Sequence, residues 1–367
     1  MYIWQHPDWP RFEYDLQRLM PLLTLVHHAR GELVGRMRDL GMEAHREVHL
    51  RSLTDEITQS HAIEGESLDL KRVRSSLARH LGINHAGLPR PAREVDAVVE
   101  MMMDATGHYD QPLTQDRLFA WHAALFPTGY SGLTPILVGR FRTDEKGPMQ
   151  VVSGPVHRHR IHFEAPPAER VPQEIEHFLT WFNGASKQQD PLIRVGIAHL
   201  WFLTIHPFED GNGRIARAIG EMALAHADGI PWRYYSLSAQ IERNRKAYYT
   251  ILEETQKGRA DTTEWLEWFL SQLHQAIAHA HERVDSVLFK ARFWQRWGDT
   301  PMNPRQVKVL NRLLDGFEGK LTSRKWAALA KCSQDTAIRD IRDLLDKGVL
   351  RKGASGGRST HYVLDHG

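Results

Sequence analysis

His206-Pro207-Phe208-Glu209-Asp210-Gly211-Asn212-Gly213-Arg214-Ile215-Ala216-Arg217 lies between two segments of helical period, Leu192 to Ile205 and the run after Gly213, and reads as a loop feeding a helix N-terminus. Gly211 and Gly213 permit positive φ and close backbone approach. With Asn212 they let successive N–H groups converge at the positive end of the helix, a nest suited to phosphate. Arg214 and Arg217 are three apart, so they share a face of the first turn and reach phosphate oxygens beyond the nest. The implied ligand is a polyphosphate. Asp210 offers a hard carboxylate oxygen where Mg²⁺ would bridge protein and nucleotide. His206, read with a pKa near neutrality, is a candidate base for an attacking hydroxyl. Fragment by fragment the reading is weaker: Asp-Gly-Asn-Gly is an ordinary turn, and a His before Pro is commonly structural. His206 and Asp210 also fit a transition-metal pair, but no third ligand stands out.

Around this segment the chain reads as mainly α. Helices are expected at Arg46 to Ile63, Asp69 to His80, Pro91 to Ala105, Thr114 to Phe126, Pro172 to Phe182 and Thr263 to Trp297, with a polar face on the first. Ile136 to Phe163, rich in Gly and Pro, reads as one or two short hairpins. The first 30 residues open on an aromatic, proline-rich strap. Gly298-Asp299-Thr300-Pro301 is the clearest linker. The boundaries that follow are a helical region at 1–110, a core at 111–260, a connecting helix at 261–300 and a C-terminal domain at 301–367.

Composition limits the alternatives. The 367 residues carry 47 Lys and Arg against 45 Asp and Glu, a net +2 that excludes a chain-wide polyanion binder. The single cysteine, Cys332, cannot form an internal disulfide, no apolar run reaches membrane-span length and the first residues lack a signal-peptide pattern. A cytoplasmic location without membrane partners is expected. Met101-Met102-Met103 and the tryptophans at 181, 201, 265 and 268 read as core filling, and the alternating histidines 157, 159 and 162 as a strand rather than a metal site.

The twelve-residue stretch resembles the signature of the Fic family, His-Pro-Phe-x-Asp-Gly-Asn-Gly-Arg-x-x-Arg, at all nine fixed positions. A chance match of that length is expected in roughly one chain in a billion. The resemblance, spanning about Pro112 to Gly258, implies a helical core with a β-hairpin flap that transfers AMP from ATP to a Ser, Thr or Tyr hydroxyl of a target protein, or of the chain itself, and releases pyrophosphate. It implies His206 as general base, Asp210 as the Mg²⁺ ligand, Asn212 with the Gly211 and Gly213 amides as an anion hole, and Arg214 and Arg217 as a phosphate clamp. Gly139-Arg140-Phe141-Arg142 to Val151-Val152-Ser153-Gly154 is similar to the family's target-docking flap, which adds the target as a strand. Tyr248, Tyr249 and Gln256 fall on the segment that lines the adenine pocket in relatives.

Ser60-His61-Ala62-Ile63-Glu64-Gly65 resembles the family's inhibitory pattern, which implies that Glu64, with Ser60, competes with phosphate for Arg217 through a bidentate pair. Release would require that helix to shift, for which contacts within a homodimer are one route. Asn303 to Leu314, Ser323 to Ala330 and Gln334 to Lys347, followed by strands at 349–352 and 360–364, resemble a winged helix-turn-helix domain. Lys320 to Tyr362 holds ten Lys or Arg against four Asp, a net +6, with Arg351, Lys352 and Arg358 on the wing. That suits a DNA backbone, yet Asp335, Asp340, Asp343 and Asp346 on the third helix oppose it unless they face away, and protein docking is the other use. The alternatives to adenylyl transfer are a DNA-binding regulator that only senses ATP, and an enzyme of the same fold that transfers another phosphate-containing group or removes AMP.

Overall fold

The computed structural model describes the chain except residues 39–40, 84–88, 155–158, 185–188, 315, 318, 354–359 and 366–367. The described residues form fourteen α-helices and three two-stranded antiparallel pairs, a mainly α chain. They divide into two compact units, Met1–Ala280 and His281–Gly367.

The first unit is built around α7 (Pro191–Ile205) and α8 (Asn212–Asp228). Asp190 caps α7 by accepting from the Leu192 amide, and Pro191 occupies the first turn, where its missing N–H costs nothing. Every residue of α7 from Leu192 onward is buried except Arg194. A helix apolar on all sides belongs at the centre of a core, and this one packs on α6 (Val171–Asn183) and α8. The chain outside these includes α1 (Leu16–Arg38), α2 (Met42–Ile63), α3 (Leu70–His80), α4 (Arg93–Gly107), α5 (Gln115–Leu125), α9 (Leu237–Arg243), α10 (Arg245–Gln256) and the start of α11 (Thr263–Trp297). The strap ends where α1 begins, at Leu16. Trp4 donates to the Glu164 carbonyl at 2.7 Å and Trp9 to the Glu174 carboxylate at 2.8 Å, which pins the strap to the core through its aromatic bodies.

The face of α2 that reads as polar is not solvated. His49, Ser52, Thr54, Glu56, Thr58, Ser60 and His61 are all buried. Thr54 and Thr58 return their hydroxyls to carbonyls one turn back. Glu56 accepts from the Ser236 hydroxyl at 2.7 Å, from the Ser238 amide at 3.0 Å and from the Ser238 hydroxyl, at the start of α9. Apart from the Ser52 hydroxyl, which has no hydrogen-bond partner, these polar groups are matched by internal partners, so α2 is a core helix despite its composition.

Two hairpins follow α5. The first, β1 (Tyr130–Ser131) with β2 (Thr134–Pro135), lies before the stretch where the sequence suggests strands. The second pairs β3 (Gln150–Ser153) with β4 (Arg160–Glu164), with a bulge between Val151 and Val152. In the second unit, α12 (Pro304–Leu314), α13 (Ser323–Ala330) and α14 (Gln334–Asp346) are followed by β5 (Leu350–Lys352) paired with β6 (Tyr362–Leu364). Its core includes Val309, Leu310, Trp326, Ile341 and Leu344, and it takes in Phe293 from the end of α11.

Candidate active site

His206 ends α7 in the left-handed region, at φ 51° and ψ 58°, a conformation that costs a non-glycine residue energy and persists only where its surroundings enforce it. Arg142 enforces it. Its Nε donates to the His206 carbonyl at 2.8 Å and its backbone N–H to the Pro207 carbonyl at 3.0 Å. The His206 Nδ1 lies 3.3 Å from the Leu203 carbonyl, so Nδ1 carries the proton and Nε2 keeps its lone pair. Burial, and then the charge of Arg142, lower the His206 pKa to about 4. The near-neutral pKa expected from sequence is therefore corrected: the ring is neutral throughout the physiological range.

Burial has the same effect on four core rings. His49, His61 and His122 are lowered to about 4 and His199 to about 3, desolvation being the first cause in each. An unfolded chain titrates such rings near 6.5, so between that value and the folded one the unfolded state binds more protons and stability falls as pH falls. At pH 5 each ring withdraws on the order of 2 kcal/mol. Glu221, raised to about 7 by burial, works in the opposite sense but is one group against five, His206 included. The melting temperature is expected to be level above pH 7 and to drop steeply between pH 6 and 5; a melting curve indifferent to pH down to 5 would contradict these assignments.

The loop after His206 is braced from within. Phe208 is buried and stacks on His122, ring centroids 4.2 Å apart. Asn212 donates to the Phe208 carbonyl at 2.9 Å and accepts from the Phe208 amide at 3.0 Å. Its side chain thus closes the loop, and only its backbone N–H is left for an anion. Gly211, at φ 81°, caps α8, and a Cβ there would lie 2.8 Å from the Phe126 ring. Asp210 accepts from the Gly211 amide at 2.5 Å through Oδ1 and from the Ser131 hydroxyl through Oδ2.

The end of α2 reaches the first turn of α8. A Cβ on Gly213 would come 2.1 Å from the Glu64 Oε1, so the Glu64 carboxylate sits against the helix N-terminus, where a phosphate would gain most from the converging amides. The expected bidentate Glu64–Arg217 pair is instead shared. Arg217 Nη2 donates to Glu64 Oε1 at 2.7 Å and to the Ser60 carbonyl at 2.8 Å, and Nε to the Ser60 hydroxyl at 2.8 Å. Ser60 supplies both its backbone and its side chain, and the carboxylate takes a single guanidinium bond, from Nη2. Arg214 is taken by a residue that the sequence reading passed over: its Nη1 donates to Glu66 Oε2 at 2.6 Å. Arg217 Nη1 and Arg214 Nε are buried without hydrogen-bond partners, an arrangement that costs free energy until an acceptor arrives.

Of the three residues matched to an adenine pocket, only Tyr249 is near the surface. Its hydroxyl donates to the Ile63 carbonyl at 3.1 Å, beside Glu64. Tyr248 is 1% exposed and bonded to His199 at 2.9 Å, and Gln256 is buried with its amide 3.3 Å from the Thr204 hydroxyl. Both side chains are buried in this structure. In the flap, Val152 and Ile161 are exposed and Val151 half-buried, while the Ser153 hydroxyl is 2.5 Å from His162. Arg160 and His162 hold β4 on α10 through Glu253, at 2.7 and 2.5 Å. His157 and Arg358 lie outside the described residues.

In the second unit two of the four α14 acids are held by neighbouring residues, while Asp335 and Asp346 are exposed. Asp340 is buried and bonded to Asn303 and Arg305, and Asp343 accepts from Gln306 and Lys347. Arg339, Arg342, Arg351 and Lys352 are exposed.

Residues 112–224 match the Fic/DOC family and residues 2–83 match a domain of unknown function, DUF4172. The chain is 25% identical over 230 residues to Protein adenylyltransferase fic-1 of Caenorhabditis elegans, across 58% of this chain and 41% of that one. It is 33% identical over 104 residues to Probable protein adenylyltransferase aq_aa38 of Aquifex aeolicus, across 28% of this chain and 30% of that one. It therefore spans less than half the length of these curated relatives. Among solved structures, a Fic family protein from Desulfovibrio desulfuricans is similar in fold, with a TM-score of 0.53 at 23% identity over 94% of this chain and 96% of that one. Fic-1 from C. elegans gives 0.51 at 22% identity over 73% of each.

Proposed function

We propose that the chain, whose residues 112–224 match the Fic/DOC family, is a protein adenylyltransferase, with ATP and a protein hydroxyl as its substrates and with Glu64 as an internal brake. One observation carries this reading: two motif arginines with buried, partnerless donors stand at a helix N-terminus that already holds a carboxylate, next to a neutral histidine with a free Nε2. The orphaned donors and the side-chain-free cradle at Gly213 fit phosphate oxygens in kind.

The target hydroxyl oxygen attacks the α-phosphorus of ATP. The bond from that phosphorus to the bridging oxygen breaks, and pyrophosphate leaves with the electron pair. The proton passes to Nε2 of His206, which is a weak base by its lowered pKa but needs to accept only as the hydroxyl becomes acidic during P–O bond formation. Asp210, with the Ser131 hydroxyl beside it, offers hard oxygen ligands that would hold Mg²⁺, and that ion supplies neutralisation of phosphate charge. Arg214 and Arg217 stabilise the outer phosphates once Glu66 and Glu64 withdraw. The exposed edge of β3, which has no second strand partner among the described residues, suits a target segment that adds a strand.

The test is label position. Incubation of the Glu64→Gly protein with ATP labelled at the α-phosphate should label protein, whereas γ-labelled ATP should not. Transfer of γ label would indicate phosphoryl transfer, and no transfer of either would leave nucleotide sensing as the better account.

A further inference from the structure

We infer that His122, on α5 and outside the twelve-residue motif, is a positioning residue that sets the Asp210 carboxylate by holding one peptide plane; the inference rests on the reading of the site just given. The ring is 0% exposed. Its Nδ1 accepts from the Gly139 amide at 3.1 Å, so the remaining proton is on Nε2, which donates to the Asp210 carbonyl at 3.2 Å. The ring face meanwhile stacks on Phe208 with 9° between the planes.

The consequence follows from peptide geometry. The unit joining Asp210 to Gly211 is planar, so fixing its C=O also fixes the direction of its N–H. That N–H is the Gly211 donor that holds Asp210 Oδ1 at 2.5 Å. One imidazole bond is thus passed through a rigid plane to the carboxylate. The same ring ties down Gly139, which leads through Arg142 to the flap, and Glu209 adds a second tie by accepting from the Leu137 amide at 2.7 Å. His122 thereby places the metal-binding side chain and the approach to the flap relative to each other. Imidazole suits the task because it carries a donor and an acceptor at separate positions on a flat ring that can stack. Phe keeps the stack alone, Gln reaches toward Asp210 without stacking, and Asn reaches only toward Gly139.

The experiment measures equilibrium affinity for a non-hydrolysable ATP analogue, with Mg²⁺ and with EDTA, in the Glu64→Gly protein carrying His122→Phe, His122→Gln or His122→Asn, with circular dichroism to confirm folding. His122→Phe and His122→Asn are expected to weaken binding about 10-fold in Mg²⁺, as for outer partners of metal ligands, and under 2-fold in EDTA. His122→Gln should recover most of the loss. Equal losses with and without Mg²⁺, no loss at all, or Gln as damaging as Asn would overturn the assignment; the Gln and Asn comparison decides it even if the Phe variant fails to fold. Absence of AMP transfer alongside the expected binding pattern would sink the transferase reading and leave this one standing.

Discussion

Glu64→Gly raises the initial rate of AMP transfer about 10- to 100-fold over the unaltered chain, and Glu66→Gln added to it gives a further, smaller rise. The first figure follows from what the substitution removes. Glu64 accepts one Arg217 bond, from Nη2, and it fills the space over Gly213 at the start of α8. A charge-assisted hydrogen bond of this kind is worth about 1.5–3 kcal/mol, and about 1.4 kcal/mol is tenfold in an equilibrium. Glycine restores both the donor and the space. The second effect is smaller because the Glu66 side chain is 45% exposed against 29% for Glu64, so solvent screens its pair with Arg214 more strongly. Arg214 also keeps Asp210 at 3.6 Å and the Phe126 ring at 4.9 Å whether or not Glu66 is present. Rates are read from α-labelled ATP with the same acceptor throughout. A Glu64→Gly rate equal to that of the unaltered chain would remove Glu64 from any inhibitory role, and a Glu66→Gln rate equal to its parent would reduce the Glu66 contact to a surface pair.

The sequence was most readable where local rules and tertiary demands agree. Helices with strong caps and apolar periodicity, such as α3 with Asp69 and α5 with Thr114, begin and end close to where spacing places them. α1 was missed because Pro21 lies inside it and Arg30, Glu32, Arg36 and Arg38 blur its apolar stripe. The buried polar side of α2 was misread for a related reason: its partners, Arg217, Ser236 and Ser238, are 150 residues or more away in the chain, and no local pattern records them. The motif residues were legible because glycine, arginine and histidine each have restricted uses at a helix start. Glu66 had a local signal, a second acid just past Gly65. His122, Arg142 and Ser131 had none, since each acts across a fold contact on a backbone carbonyl or on Asp210. Tyr248 and Gln256, placed at a ligand pocket by resemblance alone, are buried here, which residue type and spacing did not announce. On α14, Asp340 and Asp343 accept hydrogen bonds from Arg305 and Gln306 of α12, pairings that no local pattern records.

His206→Ala abolishes transfer while leaving nucleotide binding nearly intact, and this is the largest effect expected of any single change in the site. The ring's Nδ1 is committed to the Leu203 carbonyl and its pKa lies well below physiological pH, so its function is confined to Nε2 and the attacking hydroxyl. A positioned base contributes about 10²- to 10⁴-fold, and a loss in that range should appear in kcat rather than in the affinity for ATP, which the proposed function assigns to α8 and its arginines. Alanine also leaves the left-handed position strained, so some thermal destabilisation is expected as well. His206→Asn separates the two effects, because Asn tolerates that backbone conformation better but cannot take the proton at neutral pH. Both variants in the Glu64→Gly background should therefore bind a non-hydrolysable ATP analogue within a few-fold of their parent, and both should transfer label at least about 100-fold more slowly. Transfer by His206→Asn within threefold of the parent would show that the hydroxyl loses its proton to something other than this ring.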